Sequence, residues 1–118
     1  MIPRLQELDI ARAVASYLAE LWHAPTLDSH PVPAFPSLFS VCPAADIYRE
    51  LRSYPVPLSS PPATWSDSVR VFETLQGRRV LEAPLWDAAG QPSELYMKVA
   101  LVDSDAGPDA ELWALRVH

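Results

Sequence analysis

The sequence predicts an α+β fold, with helices in the first half of the chain and an antiparallel sheet in the second. Near the start of the chain, apolar residues recur every three or four positions, which is the period of a helix buried on one face. After Ser68 the period changes to two, and the three glycines fall one in each gap between apolar runs. We expect a single domain over residues 1–118, because this length buries enough surface for one core without a disulfide or a metal.

The first helix is predicted over residues 4–23. Pro3 fits its first turn, where the N–H that proline lacks would have had no partner, and Pro25 ends it near Ala24. The apolar positions are spaced so that they share one side of the helix. They are Leu5, Leu8, Ala11, Ala15, Leu18 and Trp22.

The middle of the chain is rich in proline. Nine of the 13 prolines and no glycine lie in residues 25–62, which predicts a stiff, extended segment that wraps around the domain. Within this segment, Ile47 and Leu51 share one side of a second, short helix over 43–54, which Pro55 terminates.

Four apolar runs follow, and they predict a four-stranded antiparallel β-meander. The gaps between the runs are too short for the crossovers that parallel strands need. A three-residue loop at 76–78 would place Leu75 opposite Arg79 in the first hairpin. The predicted strands are 69–75, 79–87, 94–103 and 111–117.

The order of these elements loosely resembles the NTF2-like and cystatin-like plans, in which a helix and a second helical segment precede a curved meander. The resemblance covers element order along the chain, and the sequence contains no motif of either family. It implies a curved sheet and carries no function by itself.

One face of the predicted sheet carries Leu95, Met97 and Val99 and should meet the helices. The opposite face is too apolar for contact with water, which indicates an interface or a pocket. Three groups could cover this face: the proline-rich segment, a protein partner or second copy, and a small-molecule ligand. Trp65, which follows two prolines, is predicted to be an exposed anchor for a partner. The candidate binding residues on the second face are Phe72, Glu82, Trp86, Tyr96 and Leu112.

The charge balance limits the classes of partner. The chain has 15 acidic and 9 basic side chains, a net charge of -6, and Lys98 is its only lysine, which argues against binding of nucleic acid. No apolar run approaches the roughly 20 residues of a bilayer span, and the first residues lack the pattern of a secretory signal. We therefore expect a cytoplasmic protein that binds neither nucleic acid nor a membrane.

No motif in the sequence predicts catalysis or metal binding. The spacing of His23, Asp28 and His30 matches no zinc motif, and Cys42 has no identifiable base beside it. His118, as the last residue, is expected to be mobile. We expect no catalytic residue, no metal and no cofactor.

Two functions follow as hypotheses. The first is a small, acidic, noncatalytic interaction or accessory protein that docks a protein partner, or forms a homodimer, through the second face of its sheet. The alternative is an NTF2-like protein that binds a small ligand, or an isomerase or hydratase, with a pocket in the curved sheet. In that alternative, Glu82 would carry a proton beside Trp86 and Tyr96.

Overall fold

The computed structural model describes residues 1–117, and it confirms the α+β fold with the helices before the strands. His118, expected to be mobile, lies outside the described residues. No helix within residues 1–117 has the length and apolar character needed to cross a lipid bilayer. The helices are α1 (Leu5–His23) and α2 (Ala44–Ser53), with short 3-10 helices at Leu27–Ser29 and Ala63–Ser68. The strands are β1 (Leu58–Ser59), β2 (Arg70–Glu73), β3 (Arg79–Asp87), β4 (Pro92–Val102) and β5 (Asp109–Val117).

Helix α1 lies at the centre of the core, and its predicted span is confirmed to within one residue. Val14 and Leu18, on its apolar side, are completely buried. At the start of the helix, the backbone N–H of Arg4 donates a hydrogen bond of 2.8 Å to the Glu7 carboxylate, which satisfies a donor that the helix leaves free. The helix ends two residues before Pro25, which cannot continue it.

The proline-rich segment packs on the same side of the sheet as α1. Its Phe35 and Leu38 belong to the core cluster, together with Ile47 and Leu51 of α2. Leu38 also lies along the outer edge of β5, where its carbonyl accepts a hydrogen bond of 2.9 Å from the N–H of Leu112. The segment therefore leaves the second face of the sheet uncovered.

Strands β2 to β5 are hydrogen-bonded in chain order and antiparallel, which confirms the predicted meander. Strand β1 was not predicted, because two residues are too few to show a hydrophobic period. It pairs with the last part of β3, where Leu58 lies opposite Asp87, while β2 pairs with the first part of β3.

The predicted register of the first hairpin is wrong by two residues. Glu73, and not Leu75, lies opposite Arg79. The loop is longer than expected because the Gly77 N–H donates a hydrogen bond of 2.9 Å to the Thr74 carbonyl, with Gly77 at a φ of 81° that suits glycine. Since side chains alternate with a period of two, a shift of two leaves each one on its predicted face.

Strand β5 contains a β-bulge at Trp113. Lys98 of β4 lies opposite Ala114 and the next residue, Val99, lies opposite Leu112, so Trp113 is the extra residue. The bulge reverses the alternation, and Leu112 points into the core and is completely buried. The prediction that Leu112 lies on the second face is therefore wrong.

Trp65 is completely buried in the core, and the prediction of an exposed anchor is wrong. Its indole Nε1 donates a hydrogen bond of 2.8 Å to the Pro84 carbonyl of β3. The Arg12 guanidinium of α1 lies 5.5 Å from the ring centre. The 3-10 helix Ala63–Ser68 directs the indole inward, so that Trp65 joins β3 to α1 and meets no partner.

Candidate functional site

The side of the sheet away from the helices is the main candidate, and we call it the open face. Helix α1 packs against the other side, and α2 and the proline-rich segment join the same core cluster. Strand pairing places alternate residues of β2, β3 and β4 on the open face, and the bulge adds Trp113 from β5. Its residues are Arg70, Phe72, Arg78, Val80, Glu82, Pro84, Glu94, Tyr96, Lys98, Ala100, Val102, Asp109, Glu111, Trp113, Ala114 and Arg116.

The centre of the open face is apolar, and longer side chains cover it. Val80 and Ala100 lie opposite each other and are completely buried, although no helix packs over them. Phe72 lies beside Val80 and keeps 39% of its surface exposed. The Lys98 ammonium lies 5.6 Å from the centre of the Phe72 ring, a cation–π distance. The open face is therefore aromatic and charged, and it is less apolar than its sequence pattern suggests.

Trp113 is held on the open face by a charged pair. One carboxylate oxygen of Glu111 accepts hydrogen bonds from the Trp113 indole at 3.1 Å and from the Arg78 guanidinium at 3.0 Å. The same guanidinium lies 5.6 Å from the centre of the Trp113 ring. The hydrogen bond from Trp113, followed by that from Arg78, lowers the pKa of Glu111 against the opposing effect of burial.

Three of the five candidate residues from the sequence share the open face. Glu82 lies opposite Lys98 on β4, next to the pair of Pro84 and Tyr96, and Phe72 lies one row further along. Glu82 and Tyr96 line a small hollow of about 50 Å³. Trp86 lies away from that hollow, where it pairs with β1 and packs half-buried against the core.

Sequence patterning missed Trp113, Arg78 and Glu111 as members of this face. Strict alternation assigns Trp113 to the core together with Leu115, and only the bulge moves it. Neither residue at the bulge is a glycine, so the local sequence contains no signal for it.

The open face differs in charge from the rest of the protein. It carries four basic side chains (Arg70, Arg78, Lys98 and Arg116) and four acidic ones (Glu82, Glu94, Asp109 and Glu111), and so no net charge, in a chain of net charge -6. The remaining residues therefore carry the whole net charge of -6. Arg70 and Arg116 are exposed, and neither forms an ion pair with the described residues.

A cleft of about 660 Å³ lies at the start of α1, between the β2–β3 and β4–β5 loops. Glu7 and Arg79 form a two-point ion pair in its wall, where both side chains are largely buried. The hydrogen bond from Arg79 lowers the pKa of Glu7, against the effect of burial, and the same bond raises the pKa of Arg79. Arg79 therefore attaches α1 to the sheet.

Asp109 is the other shifted carboxylate in this cleft. It accepts hydrogen bonds from the backbone N–H and the hydroxyl of Ser37 at 3.0 and 2.5 Å and from the N–H of Ala110 at 2.8 Å. Burial raises the pKa of Asp109, and the three hydrogen bonds together outweigh burial and lower it. Glu7, Arg79 and Asp109 are thus paired within the chain, and this cleft offers less for a ligand than the open face.

The side chains that could bind a metal or act as a nucleophile do not cluster within residues 1–117. Within residues 1–117 no group of three or more histidine, cysteine, aspartate or glutamate side chains is placed to hold a metal ion. His23 donates from Nε2 to the Leu58 carbonyl at 2.7 Å and so joins the end of α1 to β1. The Cys42 thiol lies 3.3 Å from the Trp113 carbonyl at the edge of β5.

Comparison with known proteins identifies a family but no function. A profile described as a domain of unknown function, DUF7668, matches residues 38–118. The comparisons with curated proteins and with solved structures gave no match. The matched range contains α2 and the whole sheet, and hence every residue of the open face, whereas α1 precedes it and supplies a large part of the core. Because the match covers more than half of the sequence, the chain belongs to the DUF7668 family of domains of unknown function.

Proposed function

We propose that the protein is a noncatalytic binding or accessory domain whose open face docks a protein partner in the cytoplasm. One observation carries the proposal: a sheet face without a helix over it presents Phe72, Tyr96 and Trp113 among arginines. Aromatic residues and arginine are the types enriched in the buried centres of protein interfaces. An open face that served only as solvated surface would need none of these aromatic side chains.

The charge of the open face favours a partner whose docking surface is acidic. Arg70 and Arg116 are exposed and form no ion pair with the described residues, whereas the carboxylates of Asp109 and Glu111 are engaged within the chain, so the arginines would attract an acidic surface. An acidic partner would pair with these arginines, whereas a second copy of the face would present further arginines to them. We therefore favour a different protein over a homodimer formed through this face.

The hollow beside Glu82 gives less support to a small-molecule ligand or to proton transfer. Its volume of about 50 Å³ is well below the roughly 300–1,000 Å³ of ordinary ligand sites. Trp86, which the enzyme hypothesis places beside Glu82, does not line the hollow. Docking of a protein is the function that this geometry favours.

The test is affinity capture from the native cell extract with three forms of the protein. The open-face variant combines Phe72→Ser with Arg116→Glu, and both side chains are exposed, so folding should be retained. The control variant makes two comparable changes, an apolar side chain to serine and an arginine to glutamate, at exposed positions outside the open face: Leu75→Ser with Arg52→Glu. Circular dichroism confirms that all three forms are folded.

We expect the wild type and the control to retain the same protein and the open-face variant to lose it. Retention of the same proteins by all three forms would contradict the proposal. A solution mass that shows a dimer dissociated by the open-face variant would assign the face to self-association and contradict the choice of a different protein.

A further inference from the structure

We infer that a second surface, the end groove, binds an extended peptide segment of a partner in which an arginine or lysine lies between apolar residues. The groove has a volume of about 520 Å³ and lies between the end of α2, the first residues of β4 and the last residue of β5. This inference rests on observations separate from the open face and does not depend on the proposed function.

The groove forms because the sheet extends beyond the helical layer. Leu95 and Val117 lie opposite each other on the helix side of the sheet. Leu95 is buried, but Val117 is 61% exposed, because α2 ends at Ser53 and no helix continues over it. Val56 lines the opposite wall and is 36% exposed. Apolar side chains that belong to the core side of the sheet are thus open to a ligand.

The charged side chains beside this apolar floor are all acidic among residues 1–117. Glu50, Asp87 and Glu94 line the groove, and no arginine, lysine or histidine among residues 1–117 does. The Asp87 carboxylate accepts hydrogen bonds from the backbone of its own hairpin. The carboxylates of Glu50 and Glu94 have no hydrogen-bond or ion-pair partner within residues 1–117. Three negative charges around an apolar cleft produce a local field that favours a cation.

One polar group in the groove is ready to orient a peptide backbone. The Tyr54 hydroxyl accepts a hydrogen bond of 3.2 Å from the N–H of Glu94, and its own proton has no acceptor within residues 1–117. A hydroxyl in this position can donate to the carbonyl of a bound peptide.

A peptide with a basic residue between apolar neighbours complements both the apolar floor and the acidic side chains of the groove. An arginine or lysine side chain lays its aliphatic stem on apolar surface while its charged end reaches carboxylates, here those of Glu50 and Glu94. Its apolar neighbours would cover Val56 and Val117. The groove also lies at the same end of the sheet as Tyr96 and Arg116 of the open face, so a partner on that face could reach it with one chain segment.

The test uses a synthetic peptide with capped ends, Pro-Leu-Arg-Val-Pro, titrated into the full chain while backbone amide NMR signals are followed. The matched peptide has glutamate in place of arginine. We expect saturable shifts at Val56, Leu95 and Val117 with the arginine peptide and none with the glutamate peptide. The double variant Glu50→Gln, Glu94→Gln should weaken binding about fivefold to tenfold, since exposed ion pairs each contribute modestly to affinity.

Control variants separate this inference from the proposed function. Glu20→Gln removes an exposed carboxylate of α1 outside the groove and should leave binding of the peptide unchanged. Phe72→Ser changes the open face and should also leave it unchanged. The inference fails if neither peptide binds, if both bind equally, or if the shifts lie on the open face, and none of these outcomes bears on capture of a partner by that face.

Discussion

Arg79 and Glu7 lie 72 positions apart in the chain and form a two-point ion pair that fastens the start of α1 to the sheet. Nη2 of Arg79 donates to one carboxylate oxygen of Glu7 at 2.8 Å, and Nε donates to the other. The side chain of Glu7 is only 5% exposed and that of Arg79 is 16% exposed, so water competes little for this pair.

We predict that Glu7→Gln destabilises the protein at pH 7 by about 1–2 kcal/mol, the usual contribution of a charged hydrogen bond after allowance for solvent screening. Because Arg79 lowers the pKa of Glu7, the carboxylate stabilises the fold above its unfolded-state pKa of about 4.3, and that stability is lost as pH falls through the lower, folded-state pKa. Urea unfolding of both forms at pH 7 and at pH 3 measures the difference. A difference in unfolding free energy that does not shrink on acidification would contradict this role of Glu7.

The stability of a Trp65 variant tests whether Trp65 is buried in the core or exposed as an anchor. Its indole is completely buried and hydrogen-bonded to the Pro84 carbonyl, so Trp65→Ala should lower the free energy of unfolding by about 3–5 kcal/mol. Denaturant unfolding gives this value directly. An exposed anchor would give a change within about 0.5 kcal/mol, and that result would contradict the buried position.

The bulge at Trp113 predicts different tolerances at Leu112 and Ala114. Strict alternation would place both residues on the same face, whereas the bulge places only Leu112 in the core. Leu112→Gln should therefore cost several kcal/mol, since it buries an unpaired amide, while Ala114→Gln at the open face should cost less than about 1 kcal/mol. Thermal unfolding of the two variants compares them, and equal losses of stability would argue for an unbroken strand.

The sequence predicts the elements well because their signals are local. The helical period and the flanking prolines place α1 and α2 within one residue of their observed bounds, and the change of period locates β3 at its observed bounds. The first hairpin differs by two residues because hydrogen bonds of the Thr74 and Gly77 backbone, which no hydrophobic pattern reports, decide the length of its loop.

The candidate site is predicted in part. Phe72, Glu82 and Tyr96 share the open face because the period of two survives a register shift of two. Leu112 and Trp113 exchange sides at a bulge without a sequence signature. Trp65 looks exposed from its proline-rich surroundings, but its position depends on a contact with β3 that is 19 residues away in the chain.

The most direct test of the central claim is oxidative footprinting of the protein, alone and in complex with the partner captured from its cell. If the open face docks that partner, Phe72, Tyr96 and Trp113 will lose reactivity in the complex, while the exposed Leu75 at the hairpin tip keeps its reactivity. Unchanged reactivity of all three aromatic side chains in a stable complex would show that the partner binds elsewhere and would contradict the account.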